Sequence, residues 1–224
     1  MRRSRLLISM AGLAAFIACM DATGPDPGLQ ALDGMAPWVR HLNADKDGDG
    51  YGDSELNILA MADDSPRLVT YRKTFKACKS KSQKLQIGYL AKPDVVTGLF
   101  LELEIPKYSL SRMPNGRRIA SWECVWITAT IDPDNMVVKF EPEGLKFRSS
   151  KPAKLRMWYT YANLDLNGDG VVDHKDEEII DEDLALWRLP YDGGAWVKIG
   201  SVHAENAMQF TARLTRFSHY AVAH

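Results

Sequence analysis

From about Leu68 almost to the C-terminus, apolar and polar residues alternate with a period of two. Leu85, Ile87 and Tyr89 share one face of a short segment, and Leu99, Leu101, Leu103 and Ile105 alternate with Glu102 and Glu104. Val125, Ile127, Ala129 and Ile131 repeat the pattern, as do Leu155, Met157, Tyr159 and Tyr161, and Phe210, Ala212 and Leu214. Successive side chains on a strand point to opposite faces, so each run predicts a half-buried strand. Asp132-Pro133-Asp134-Asn135 supplies a turn into Met136–Phe140, and Tyr191-Asp192-Gly193-Gly194 predicts a hairpin joining 184–189 to 195–199. Many short strands with turns between them predict a mainly β chain folded as an antiparallel β-sandwich. Helical spacing is confined to His174–Asp183 and, more weakly, Leu29–Leu42.

The N-terminus follows another logic. Met1-Arg2-Arg3-Ser4-Arg5 is basic, and Leu6–Ala18 is an unbroken apolar run. A run of that length is too short to cross a hydrocarbon core of roughly 30 Å as a helix, which predicts a signal peptide. Its end, Phe16-Ile17-Ala18-Cys19, resembles the bacterial lipobox. The resemblance implies cleavage before Cys19, acylation of its thiol, and a stable lipid anchor in the cell envelope. Residues 21–33, rich in Gly, Pro and Asp, read as a flexible spacer. The expected organisation is a lipoprotein signal peptide over 1–18, the lipidated cysteine and spacer over 19–44, an acidic Asp/Gly-rich region over 45–67, and the sandwich over 68–224.

Charge changes this picture little. The net charge is −1, and removing Arg2, Arg3 and Arg5 with the signal peptide takes it to −4. Nothing here favours nucleic acid as a partner. With Cys19 committed to lipid, Cys78 and Cys124 remain; in an oxidising compartment they could pair, but spacing alone leaves the disulfide open.

The clearest chemistry is Asp165-Leu166-Asn167-Gly168-Asp169-Gly170-Val171-Val172-Asp173-His174-Lys175-Asp176. Calcium takes about six to eight hard oxygens, and oxygen-bearing residues at loop positions 1, 3, 5, 7, 9 and 12 wrap round one centre. Those positions hold Asp165, Asn167, Asp169, the Val171 carbonyl, Asp173 and Asp176, with Gly170 at the sharp turn of position 6. The loop matches the EF-hand pattern, and Asp at position 12 resembles a dockerin loop. Four aspartates in twelve residues repel one another unless a cation neutralises them. The stretch 162–183 interrupts two strands, and long insertions of this kind are usually functional or disordered. A weaker second loop holds Asp45, Asp47, Asp49, Tyr51 and Asp53, with Leu56 where a closing acid is expected. It resembles thrombospondin type-three and other Asp-rich bacterial repeats. The loops lie far apart with β structure between, so a tandem dockerin that binds cohesin is not expected.

Two segments resemble the ZU-five domain, a β-sandwich of ankyrins, netrin receptors and bacterial surface proteins. They are Gly98–Lys107, ending Ile105-Pro106-Lys107, and Val138–Phe147, containing Phe140-Glu141-Pro142-Glu143-Gly144-Leu145. The tail Arg216-Phe217-Ser218-His219-Tyr220-Ala221 is similar to the family's His-Phe-Ser-x-Tyr-Ala ending. The likeness spans about residues 85–223. Some relatives cleave themselves within His-Phe-Ser, which here implies attack by Ser218 on the Phe217 carbonyl. Arg216 replaces the histidine base, and a guanidinium does not accept a proton at neutral pH. No hydrolase, metalloprotease or nucleotide motif occurs. Glu102 and Glu104 read as solvated edge residues, and Trp126 and Trp158 fall opposite the apolar stripes. The expectation is a non-catalytic, calcium-binding envelope lipoprotein, anchored through Cys19, whose sandwich is structural or binds a protein or glycan. The alternatives are self-processing at Phe217-Ser218 or a carbohydrate-binding or carbohydrate-active module.

Overall fold

A computed structural model describes residues 43–46, 54–92, 95–191 and 194–224. The large sheet has eight strands in the order β2 (Ser54–Glu55), β1 (Asn43–Asp45), β12 (Trp196–Lys198), β11 (Ala185–Leu189), β15 (His219–Ala223), β8 (Val137–Glu141), β7 (Cys124–Ile131) and β3 (Arg72–Cys78). The five-stranded sheet runs β13 (Ser201–Ala204), β14 (Gln209–Leu214), β10 (Ala153–Trp158), β5 (Val95–Ile105) and β4 (Gln83–Lys92). A small pair, β6 (Leu110–Arg112) and β9 (Lys146–Phe147), lies apart from both. Every pairing is antiparallel except β1 with β12. The mainly β antiparallel sandwich expected from the alternation is therefore observed, with one α-helix among the described residues, α1 (His174–Glu182).

The period-two residues become the core. Leu85, Ile87 and Tyr89 of β4 pack with Leu101, Leu103 and Ile105 of β5 and Leu155 and Met157 of β10. Opposite them stand Val125, Ile127, Ala129 and Ile131 of β7, Val138 and Phe140 of β8, and Tyr220 and Val222 of β15. A smaller apolar cluster forms on the other face of the large sheet from Ala44, Leu56, Val137, Trp187, Leu189, Trp196, Ala221 and Ala223. Strands β8, β11 and β15 thus carry apolar side chains on both faces, and all five residues of β15 are buried.

Among the described residues, β1 and β2 join the edge of the large sheet, and Ile58 bridges to Ala223. Two expectations, on the alternation of β5 and on Glu102, are corrected. The alternation of β5 breaks at Phe100. Ile87 faces Leu101 but Gly88 faces Leu99, so Phe100 is an extra residue, a β-bulge that turns its ring inward, edge-on to Tyr89 at 6.0 Å. The bulge presses the strands together at Gly88, where a Cβ would lie 2.5 Å from the Gly98 carbonyl oxygen. Glu102 is only 4% exposed, because β5 is an interior strand with β4 and β10 on either side. Lys84 and Arg156 reach over it from these neighbours to form ion pairs, and the Gln86 amide donates to it at 2.6 Å. Burial works to raise the Glu102 pKa, and these partners together hold it below the ordinary value.

Cys78 and Cys124 occupy directly opposed positions on β3 and β7 and form a disulfide.

Candidate metal centre

Beyond β10 the chain leaves the small sheet and does not rejoin a sheet until β11. Its departure is tied to the segment after β2: the Ala62 N–H donates to the Tyr161 carbonyl at 3.0 Å and the Asn163 N–H to that of Ala60 at 2.9 Å. Leu164, Leu166 and Ile180 pack against the main core and seat the insertion on the sandwich. The rest of the insertion is held by polar contacts.

Those contacts converge on Asp176. It begins the loop's exit helix as the third residue of α1, and it is 0% exposed. One carboxylate oxygen accepts the N–H of Leu166 at 2.7 Å and of Asn167 at 3.1 Å; the other accepts the N–H of Asp173 at 2.9 Å. Asp173 is the helix N-cap and accepts the N–H of Lys175 at 2.9 Å, so Asp173 and Asp176 form a reciprocal capping box. One buried aspartate therefore closes the ring between loop positions 2, 3, 9 and 12 and starts the helix. The Asp173 N–H is the main cause holding the Asp176 pKa below its ordinary value; burial opposes this, and the Asn167 and Leu166 N–H groups reinforce it.

The first half of the loop curls by the same device. Asn167 accepts the N–H of Asp169 at 2.8 Å, and Asp169 accepts that of Val171 at 3.0 Å. Asp165 reaches across the turn to the Gly170 N–H at 2.9 Å. That turn needs φ of +87° at Gly170, a left-handed conformation costly for a residue with a Cβ. The second Asp165 oxygen, Oδ1, is buried and has no hydrogen-bond partner. Lys175 is the nearest counter-charge, 3.6 Å from Asp169. A cavity of about 330 Å³ lies beside the loop, lined in part by Asn57, Asp165, Asn167 and His224.

Among the described residues, no three His, Cys, Asp or Glu side chains stand close enough to hold an ion by themselves. An ion here would need Asn167 and the Val171 carbonyl as well. The donor set suits a hard cation: all its atoms are oxygen, and a carboxylate oxygen that accepts one hydrogen bond keeps a further lone pair.

Of the second acidic loop, Asp47, Asp49, Tyr51 and Asp53 lie outside the described residues, as does Cys19. Asp45 is the last residue of β1 and is buried.

The residues near the expected cleavage point, and the other polar and aromatic side chains, are placed as follows. Ser218 is buried, and its hydroxyl donates to the Leu189 carbonyl. The Phe217 ring stacks on Phe140 at 4.9 Å, and the Tyr220 hydroxyl donates to the Arg216 carbonyl at 2.6 Å. His219 is buried. His203 meets the Tyr159 hydroxyl at 2.8 Å; burial lowers the pKa of the histidine and raises that of the tyrosine to about 12. Trp126 is exposed and Trp158 half-buried.

The capping role of Asp176 and the Leu166 and Asn167 donors were not anticipated from sequence. The signal for the first was present, as an acid at the N-cap followed three residues later by another before an apolar pair. Among the described residues no helix is long and apolar enough to cross a membrane. No protein-family model matches the chain, and no curated protein matches it in sequence.

Proposed function

We propose that this protein is a non-catalytic cell-envelope lipoprotein, anchored through Cys19, whose β-sandwich is stabilised by calcium in the 165–176 loop. Asp165, Asn167, Asp169, the Val171 carbonyl, Asp173 and Asp176 would hold the ion, with Asp45 and its neighbours as a weaker second set. Calcium supplies charge: it offsets the repulsion among the aspartates and lets the loop stay folded on the sandwich. The observation that carries this reading is the Asp165 oxygen that is buried without a donor, in a loop where the other Asp165 oxygen and both Asp176 oxygens accept backbone N–H groups. A buried unsatisfied carboxylate oxygen is costly, and a cation removes the cost. Affinities of extracellular modules lie on the order of 10⁻⁴ to 10⁻³ M, which fits constitutive ordering and not signalling. The sandwich then serves as a rigid carrier for a structural or ligand-binding surface of the ZU-five type.

Melting curves with calcium and with chelator, on the wild type and on Asp165→Ala, test the reading. The expected result is a midpoint raised by calcium in the wild type alone; identical midpoints in all four conditions would sink it. Self-processing finds less support, since the Ser218 hydroxyl is committed to the Leu189 carbonyl and Arg216 offers no base. Intact-mass measurement is the check: a fragment ending at Phe217 would restore the self-processing reading.

A further inference from the structure

The strongest unassigned feature lies at the corner where β3, β6 and β9 end and β7 begins. A cavity of about 580 Å³ is lined by Lys79, Arg112, Arg118 and Arg148, together with Ser111, Ser121 and Trp122. The four cations come from three stretches of chain, with Arg112 and Arg118 facing each other across one hairpin, and backbone hydrogen bonds hold those stretches together. The Lys79 N–H donates to Glu123 at 2.9 Å, that of Ile119 to Ser111 at 3.0 Å, and that of Arg148 to Ser109 at 2.9 Å. The disulfide adjoins the cavity from both sides, since Cys78 precedes Lys79 and Cys124 follows Glu123. The backbone framing the cavity is fixed by these bonds; Lys79 is buried within it, while Arg118, Arg148 and Trp122 extend from it as exposed side chains.

Its charge is unbalanced. Lys79 is 7% exposed, and its ammonium donates to the Ile119 carbonyl. None of Lys79, Arg112, Arg118 and Arg148 forms an ion pair with a carboxylate among the described residues. The one acid nearby, Glu123, is taken by Arg117 at 2.7 and 3.0 Å and by the Ala120 N–H at 2.8 Å. A buried ammonium without an anion is an unfavourable arrangement unless an anion arrives from outside. Burial and the neighbouring Arg148 lower the Lys79 pKa; the Glu123 carboxylate opposes this and Arg118 adds to it, so the net shift is downward and a bound anion would reverse it. At the lip, Trp122 is 83% exposed, the most exposed of the large hydrophobic residues described.

Cations in a concavity with an aromatic plane beside them match a particular ligand chemistry. We propose that this cavity binds an acidic oligosaccharide, with the sugar's carboxylate or sulfate among Lys79, Arg112, Arg118 and Arg148 and an adjoining ring stacked on Trp122. The size fits one or two sugar rings, a concave ligand site of ordinary volume. The overall charge of −1 argues against a long polyanion, which the rest of the surface would repel. The proposal names the ligand class for the binding surface suggested above, but it does not depend on the calcium loop.

The test is titration of the full chain, in detergent and at fixed calcium, with tetramers of galacturonic acid, mannuronic acid and sulfated uronic acid-glucosamine, and with neutral maltotetraose. Tryptophan fluorescence and calorimetry give the readout. At least one acidic tetramer is expected to bind and quench fluorescence, while maltotetraose does not. Arg118 and Arg148 are exposed, so an Arg118→Ala/Arg148→Ala variant should fold normally and bind at least about tenfold more weakly. Trp122→Ala should weaken binding about threefold to tenfold and abolish the quench. Asp165→Ala should bind as the wild type does, which separates failure of the calcium reading from failure of this one. No binding of any acidic tetramer at 1 mM, or undiminished binding by the double variant, overturns the proposal. Inorganic phosphate binding as tightly as the tetramers, with Trp122→Ala silent, reduces the site to an anion hole and overturns the glycan. Capture by phosphatidylglycerol vesicles without tetramer binding assigns the corner to a membrane surface instead.

Discussion

The inserted loop and the cationic corner are both polar departures from an apolar sandwich, yet they are held in opposite ways. In the loop, carboxylates gather backbone N–H groups around themselves, and a charged, buried Asp176 ties both halves of the ring. In the corner, a covalent bond and a mesh of backbone hydrogen bonds hold like-charged cations side by side. Each region concentrates one sign of charge, and the overall charge of −1 conceals both. A polar region in a β protein can be fixed by what it binds or by what crosslinks it, and the two respond to different perturbations.

Reduction should discriminate most sharply. The disulfide closes a loop of 46 residues, for which chain entropy predicts roughly 4 kcal/mol of stability. Urea unfolding of Cys78→Ala/Cys124→Ala should show a loss of that order, with the calcium-dependent increment preserved. If the increment vanishes too, the regions are not independent. Next, Asp176→Ala strands the N–H groups of Leu166, Asn167 and Asp173 and removes one arm of the capping box, for a loss of about 3 kcal/mol. Helix content near 222 nm should fall with it while the disulfide stays intact by thiol titration. Calcium itself comes third. At 10 mM ion and a Kd on the order of 10⁻⁴ to 10⁻³ M, linkage predicts about 1.4 to 2.7 kcal/mol, lost on chelation and measurable as a shift in urea midpoint. The smallest effect is on pH. The Asp176 pKa is depressed on folding, so its contribution is complete above the unfolded carboxylate value of about 3.9 and drains away as pH falls through the folded value. Acid unfolding should therefore begin below about pH 4, and Asp176→Asn should flatten it; an unchanged acid limb would mean that other carboxylates dominate.

Much of the sandwich was legible because period-two burial leaves a trace in sequence, and β4, β5, β7, β10 and β14 match it. The helix at His174 was legible from its helical spacing, although the acids at fixed spacing that cap its N-terminus were not read as caps. What escaped was long-range or very short. Strands β1 and β2 have three and two residues, too few for any period to show. Glu102 alternates properly with Leu101 and Leu103, but only the neighbours of β5 decide that its face is covered. The disulfide and the cationic corner depend on which segments meet, and no local pattern near Lys79, Arg118 or Arg148 announces that they share a cavity.

The strand order has a mechanical consequence. On the proposed reading, the anchor enters the large sheet near β1, close to one edge, and the sugar-binding corner lies at the end of β3, the opposite edge. Tension between membrane and ligand would then run across the ladder through β12, β11, β15, β8 and β7 in turn. Loaded this way, an edge strand tends to peel one hydrogen bond at a time, and β3 is the strand under the pull. The covalent link from Cys78 to Cys124 rivets that strand to its neighbour where the load is applied.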